Sequence, residues 1–294
     1  MRFLATFLLC TIGFYSAGLA DGIIIDHHCV DVARIPPAYV AAAKSQFRVY
    51  YGHTSHGSQI TSGMKAMRSP LFNFNRNGED DALSYWEVGG DLGSRGSLAW
   101  ASTTREQLNS EGNDRNLVMW SWCGGVSSNT VEGIDAYLNE MNALEKQYPG
   151  VLFVYMTGHL DGSGVDGNLH QRNEQIRAYC RENDKILFDF ADIESYTPDG
   201  LSVLPMQAND NCDYYDGKEW RNWAEDWCQA HPEQCSTCKC AHSQSLNCDR
   251  KARAFWWMMA RLAGWDGEDA ASAIPVSTPS ANGISEDDMA NDAS

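Results

Sequence analysis

The sequence predicts an α/β fold: a three-layer α/β/α sandwich around a mainly parallel, flavodoxin-like sheet. Three observations carry that expectation. Four short segments, Phe47 to Tyr51, Leu117 to Trp122, Val151 to Met156 and Ile186 to Phe190, are rich in β-branched and aromatic residues, and their near-continuous apolar character suits strands buried on both faces. Apolar residues at three- and four-residue intervals separate these segments, the signature of amphipathic helices. Strand and helix alternate along the chain, which calls for crossover units packed on both faces of one sheet.

In chain order, residues 1–20 read as an export signal. Arg2 supplies the positive start, the apolar run from Phe3 to Tyr15 is too short to span a bilayer, and Gly18 and Ala20 are small enough for cleavage before Asp21. A secreted or periplasmic location is therefore expected, where disulfides persist. The strand FRVYY passes through YGHTSHGSQ, Tyr51 to Gln59, into a helix carrying Ile60, Met64 and Met67. After LVMWSW, Val131, Ile134, Leu138, Met141 and Leu144 define a helix that Pro149 and Gly150 close. Leu169, Ile176 and Cys180 share a face after VLFVYM. A polar, Cys-rich insertion at about 205–248 precedes a last helix, with Ala252, Phe255, Trp256, Met259 and Leu262 on one side and Gly264 as its stop. The folded domain is expected over 21–265. Residues 266–294 hold seven acidic residues and no Lys or Arg, the composition of a disordered acidic tail.

Formal net charge is −17, which argues against a nucleic-acid partner because a phosphate backbone needs a basic face. No stretch after the signal is apolar enough for a membrane helix. Nine cysteines remain once Cys10 leaves with the signal, an odd number. Cys212, Cys228, Cys235, Cys238, Cys240 and Cys248 crowd one segment. In an exported chain that crowding predicts up to three disulfides, in preference to a zinc site on Cys235, Cys238, Cys240 and His242. No HExxH-like signature is present, so neither metal nor cofactor is expected.

The turn YGHTSHGSQ lies beyond a strand's carboxyl end, where such sheets bind ligands. Gly52 and Gly57 are expected to allow backbone angles that expose Thr54 and Ser55, with Ser58 as the cap of the next helix. A serine nucleophile needs a base. His53 and His56 stand too close along the turn to be obvious bases, whereas His242, in CAHSQSLNCDRKARAFWW, stands just before the final helix.

In this order of elements, from about Phe47 to Gly264, the chain resembles the SGNH, or GDSL-like, hydrolase superfamily. The resemblance implies a nucleophilic serine after the first strand and a catalytic histidine before the last helix: Ser55, with Thr54 as the strict-spacing alternative, and His242. It also implies an oxyanion hole from the amide of Ser55, a glycine after the second strand, here Gly93 or Gly96, and a residue after the third, here Gly124 or Gly125 in WSWCGGV. Two positions depart from the pattern. Lys239 occupies the place of the family's aspartate, for which Asp210, Asp213 and Asp216 are substitutes, and WSWCGGV lacks the family's asparagine. His53, His56 and His159, the last in TGHLDG, are expected to contact substrate. Trp86, Trp100, Trp120, Trp122, Tyr50 and Tyr51 suit either a sugar-binding rim or the core. The expected function is an exported serine hydrolase acting on an ester, a small molecule or the O-acyl groups of a carbohydrate or cell-envelope polymer. The alternative is a non-catalytic carbohydrate-binding protein that keeps the fold.

Overall fold

The computed structural model describes residues 22–268. The signal read over 1–20 and nearly all of the acidic segment read over 266–294 lie outside the described residues. The chain runs β1 (Ile23–Ile25), α1 (Pro37–Gln46), β2 (Arg48–His53), α2 (Ser58–Met67), β3 (Phe74–Asn75), β4 (Leu83–Gly89), α3 (Ala99–Leu108), β5 (Leu117–Trp120) and α4 (Val131–Gln147). It continues through β6 (Leu152–Met156), α5 (Asn168–Glu182), β7 (Ile186–Phe188), α6 (Phe190–Glu194), β8 (Asp213–Tyr215), β9 (Trp220–Asn222), α7 (Trp223–Ala230) and α8 (Ser245–Leu262).

Seven strands form one sheet in the order β1-β7-β6-β5-β2-β4-β3, and every neighbouring pair is parallel. Its five central strands, β4-β2-β5-β6-β7, follow the flavodoxin-like 2-1-3-4-5 order. α1, α2 and α6 pack with α8 in one layer, while α3, α4 and α5 pack together in the other. β5 is buried at every position, and β2 is buried from Val49 to Gly52, as strands covered on both faces must be. β8 and β9 pair antiparallel as a separate hairpin in the Cys-rich insertion.

The four expected strands are all present. β5 stops at Trp120, earlier than its apolar run, and β7 stops at Phe188 because Asp189 already caps α6, accepting from the Asp192 amide. β1 and β3 escape sequence reading through brevity. β4, LSYWEVG, escapes it because its burial fades from Leu83 to an exposed Gly89 and its residues follow no regular alternation. In α4, Thr130 caps the first turn and Ile134, Leu138, Met141 and Leu144 are buried, whereas Val131 is exposed.

Gly52 and Gly57 do not adopt positive φ. Their lack of a side chain serves close approach: a Cβ on Gly52 would lie 2.0 Å from the Trp120 ring, and one on Gly57 would lie 2.2 Å from Ser121 Oγ. Ser58 is the first residue of α2 and its hydroxyl donates to the Ser55 carbonyl at 2.6 Å, so the cap position falls to Gly57.

The tryptophans settle into the core. Trp100, Trp120 and Trp122 are buried, their indole N–H groups donating to Ser97 O, Thr104 Oγ1 and Met156 O. Tyr50 and Tyr51 are buried with them, and half-buried Trp86 lies under the Arg76 guanidinium. Five of these six side chains thus fill the core rather than a sugar-binding rim.

Two disulfides form among the described residues, Cys228–Cys235 and Cys240–Cys248, within the expected limit of three. Cys212 and Cys238 remain thiols. With Cys235 and Cys240 oxidised, the zinc set of Cys235, Cys238, Cys240 and His242 has no basis.

Candidate active site

β2 leads into α2 on one face of the sheet, and β5 leads into α4 on the other. Their diverging exits open a crevice beyond the carboxyl ends of these adjacent strands, the topological switch point of the sheet. Ser55 and His56 come from the turn after β2, Cys123 from the turn after β5, and His159 from the turn after β6.

His56 is the centre of this cluster. Its Nδ1 lies 3.1 Å from Cys123 Sγ, and its Nε2 lies 2.8 Å from Asp210 Oδ2. Asp210 accepts from Nε2–H, which leaves Nδ1 free to take a proton from the thiol. Ser55 Oγ lies 3.5 Å from the same sulfur. A thiol, an imidazole and a carboxylate thus stand in line, the arrangement that activates a nucleophile.

Burial lowers the His56 pKa below its ordinary value, against the opposing pull of Asp210, so the ring is neutral at pH 7. Burial pushes the Asp210 carboxyl upward, but the hydrogen bond from His56 and the nearby His159 outweigh it and hold the pKa below the usual range. Of the five free cysteines among the described residues, Cys29, Cys180, Cys212 and Cys238 all have thiols raised by burial, Cys29 and Cys212 up to about 12. Cys123 is the free cysteine bonded to an imidazole.

The Cys-rich insertion delivers Asp210. Asn209 and Asp161 form an antiparallel bridge that ties the insertion to the turn after β6. The Asn211 amide donates to Asp210 Oδ1 at 3.0 Å, and Asn222 Nδ2 donates to both Asn211 O and Asp213 Oδ1 at 2.8 Å. The loop is thereby shaped by its own amides, with the carboxylate aimed at His56.

Two further imidazoles flank His56. The His159 ring is stacked on it at 3.7 Å between centroids and 3° between planes, and the His242 ring stacks at 4.6 Å and 15°. His159 Nδ1 lies 2.8 Å from the Leu160 carbonyl, while its Nε2 is buried with no hydrogen-bond partner among the described residues. His242 is exposed and held at positive φ, and no hydrogen bond joins it to Ser55 among the described residues. Lys239, also exposed, takes no part in the cluster. The site therefore joins Ser55, His56, His159 and His242, but the carboxylate from the insertion meets His56.

The remaining expected residues line the neighbouring rim. His53 bridges Thr54 O and Glu87 Oε1, both at 2.9 Å, and Thr54 Oγ1 donates to Asp91 Oδ2 at 2.6 Å. The Gly93 amide donates to Asp91 Oδ1 at 2.8 Å and is thereby occupied. A Cβ on Gly125 would lie 1.8 Å from the Gly93 carbonyl, so the turns after β4 and β5 are in contact. The amides of Ser55 and Gly124 donate to no protein acceptor among the described residues.

Ligand atoms of His56, His159 and Asp210 lie within 4.8 Å of one another, as do those of Asp26, His27 and Asp192. A metal ion sits in the plane of each imidazole that binds it. Two rings stacked in parallel cannot share one, so the first group would have to turn a ring. In the second, Asp192 Oδ1 accepts from the His27 amide and Asp26 Oδ1 from the His28 amide, roles that hold the loop after β1.

Cys123 is the residue sequence reading missed. Its signal was the odd cysteine count, with one thiol placed at the carboxyl end of a buried strand and before two glycines.

No protein-family model matches the chain, and no curated protein matches it. Among solved structures, a candidate acylhydrolase from Bacteroides fragilis is similar at 9% identity and a TM-score of 0.41, over 74% of this chain and 88% of that one. So distant a likeness bears no weight for the site.

Proposed function

We propose that the protein is an exported acyl hydrolase that cleaves an ester through Cys123, with His56 as base and Asp210 as the group that orients it. The observation that carries this reading is the line Cys123–His56–Asp210, with contacts of 3.1 and 2.8 Å. His56 Nδ1 takes the thiol proton as Sγ attacks the carbonyl carbon. The oxyanion is held by the unengaged amides of Ser55 and Gly124, the latter immediately after the nucleophile. His56 returns its proton to the departing alcohol oxygen, leaving a thioester on Cys123. Water, deprotonated by the same nitrogen, then attacks the thioester and releases the acid and the thiol. Ser55, beside the sulfur, supports the thiolate as a hydrogen-bond donor; among the described residues no imidazole is hydrogen-bonded to its own oxygen.

A signal over 1–20, cleaved before Asp21, belongs to this reading, and the two disulfides fit an oxidising compartment. An O-acylated carbohydrate polymer is the favoured substrate class. Its support is an exposed aromatic pair, Tyr215 and Trp220, facing each other across the β8–β9 hairpin with ring centroids 5.8 Å apart. That hairpin follows Asp210 directly.

The test is hydrolysis of an acetyl ester, with metal chelated throughout. Cys123→Ala and His56→Ala are expected to lower kcat/KM by about three orders of magnitude or more, as for other members of a catalytic unit. His242→Ala and Ser55→Ala should retain far more. Full activity in Cys123→Ala would falsify the thiol mechanism. Loss in Ser55→Ala and His242→Ala together would instead restore a serine nucleophile. Rates in every variant equal to wild type would leave the carbohydrate-binding alternative.

A further inference from the structure

Behind the imidazole stack lies an ion pair that the chemistry above does not use. Lys251 of α8 and Glu194 of α6 are fully buried and bonded through Nζ and Oε2 at 2.5 Å. Gln59 of α2, also without exposure, accepts from the same Nζ through its Oε1. The ammonium lies 3.7 Å above the Phe190 ring, so its remaining side faces an aromatic surface.

Each partner has a second bond, and each second bond runs to the stack. Glu194 Oε1 accepts from the Leu160 amide at 2.5 Å, and the Leu160 carbonyl is the partner of His159 Nδ1. Gln59 Nε2 donates to the Ala241 carbonyl at 2.6 Å, one residue before His242. The backbone N–H of Gln59, independently of its side chain, donates to the His56 carbonyl at 3.1 Å. His159 and His242, from two separate turns, are therefore tied to one buried charge pair.

Stability alone is a poor explanation for the pair. Desolvating two ions costs several kcal/mol each, and well-packed apolar replacements of such pairs are often neutral or stabilising. What an apolar pair cannot supply is directional hydrogen bonding to Leu160 and, through Gln59, to Ala241.

We infer that Lys251, Glu194 and Gln59 are positioning residues: their buried network holds His159 and His242 as the two walls that keep the His56 ring aligned between Cys123 and Asp210. The inference rests on the reading of His56 as the base. Without its walls the ring gains room to swing about its side-chain bonds, and the thiol loses its proton acceptor for part of the time.

The test uses the full chain with Lys251→Met/Glu194→Met, which removes both charges at nearly constant volume, and Gln59→Met, which cuts the tie to Ala241 alone. Thermal melts and near-UV circular dichroism confirm folding. Below the melting range, the double variant is expected to lose about tenfold to hundredfold in kcat with KM within about threefold, the size expected when a reacting group is slightly misplaced. Alkylation of Cys123 by iodoacetamide should slow in parallel. Lys251→Met/Glu194→Gln, which restores an acceptor for the Leu160 amide, should recover part of the loss; a purely structural role would instead track melting temperature. The inference is overturned if the double variant keeps kcat and the alkylation rate within about twofold of wild type. Should that variant not fold, Gln59→Met decides by the same two readouts. Alkylation does not need a substrate, so these outcomes stand apart from the failure of the hydrolase reading, which Cys123→Ala reports.

Discussion

On the proposed mechanism, His56 sets the acid limb of activity. Its neutral form must accept the thiol proton, and burial holds its pKa below the ordinary 6.5. The midpoint of the acid limb of kcat/KM is therefore expected below pH 6.5. Asp210 raises the His56 pKa, so Asp210→Asn should move that limb to still lower pH while kcat falls by about two to four orders of magnitude, because the amide permits the wrong tautomer. A pH–rate profile on a neutral ester checks both; a limb that stays put in Asp210→Asn would assign the base to another histidine. Stability follows the same groups. Between its folded pKa and 6.5, His56 binds a proton more readily in the unfolded chain, so its contribution disfavours folding as pH falls through that window. Asp210 has its pKa lowered from 3.8 in the folded state, so its stabilising contribution is complete above that value and is lost as pH falls through the lower folded pKa. Both contributions make acid destabilising, and denaturant melts between pH 7 and 3 measure the sum.

At the level of elements, two glycines determine how closely the site's supports approach. Gly52 meets the Trp120 ring across the β2–β5 pair, and a Cβ on Gly63 would lie 1.9 Å from the Cys248 carbonyl of α8. The tryptophan ring is locked by its own hydrogen bond to Thr104, and the carbonyl is backbone, so neither gives way. Gly52→Ala and Gly63→Ala should each destabilise the fold by about 1–3 kcal/mol through overpacking. Gly150, with open space around it and an ordinary φ, is the control and should lose a few tenths at most. Thermal denaturation of the three variants compares them. Equal melting temperatures for Gly52→Ala and Gly150→Ala would mean that β2 and β5 part easily. The consequence for function is direct, because these two strands carry His56 and Cys123.

On the scale of the molecule, the insertion between β7 and α8 joins stability to chemistry. Its two disulfides close short loops, with separations of 7 and 8 residues, for which chain entropy gives about 2–3 kcal/mol each. Cys240–Cys248 anchors the segment that bears His242 to the first turn of α8. Cys240→Ser/Cys248→Ser is accordingly expected to lower the melting temperature and activity together. Cys228→Ser/Cys235→Ser, whose disulfide links α7 to the loop after it, should lower stability with a smaller effect on kcat. Engineered pairs are the right measurement here, since a reductant acts on Cys123 as well. Equal losses of kcat in the two variants would show that the insertion moves as one body.

Much of the scaffold was legible in advance because burial on both faces leaves a local trace. VLFVYM and the apolar residues of α8 are recognisable without partners, since a two-sided strand and a helix each require their own residue pattern, although α8 proves buried well beyond the stripe its sequence suggests. The turn YGHTSHGSQ could likewise be placed at a functional edge from its position after such a strand. The identity of the base and nucleophile could not. His53, His56, His159 and His242 are chemically alike in sequence, and which of them meets a carboxylate depends on where a long insertion returns over the sheet. Cys123 is one thiol among several until folding buries Cys180 and Cys212 and leaves Cys123 facing His56. The sequence by itself thus determined the layers, the sheet and the edge where the proposed site lies, because these follow from local periodicity. The tertiary structure alone decided that Asp210 and Cys123 converge on His56, because contacts between residues 67 and 154 positions apart depend on chain topology and leave no local pattern.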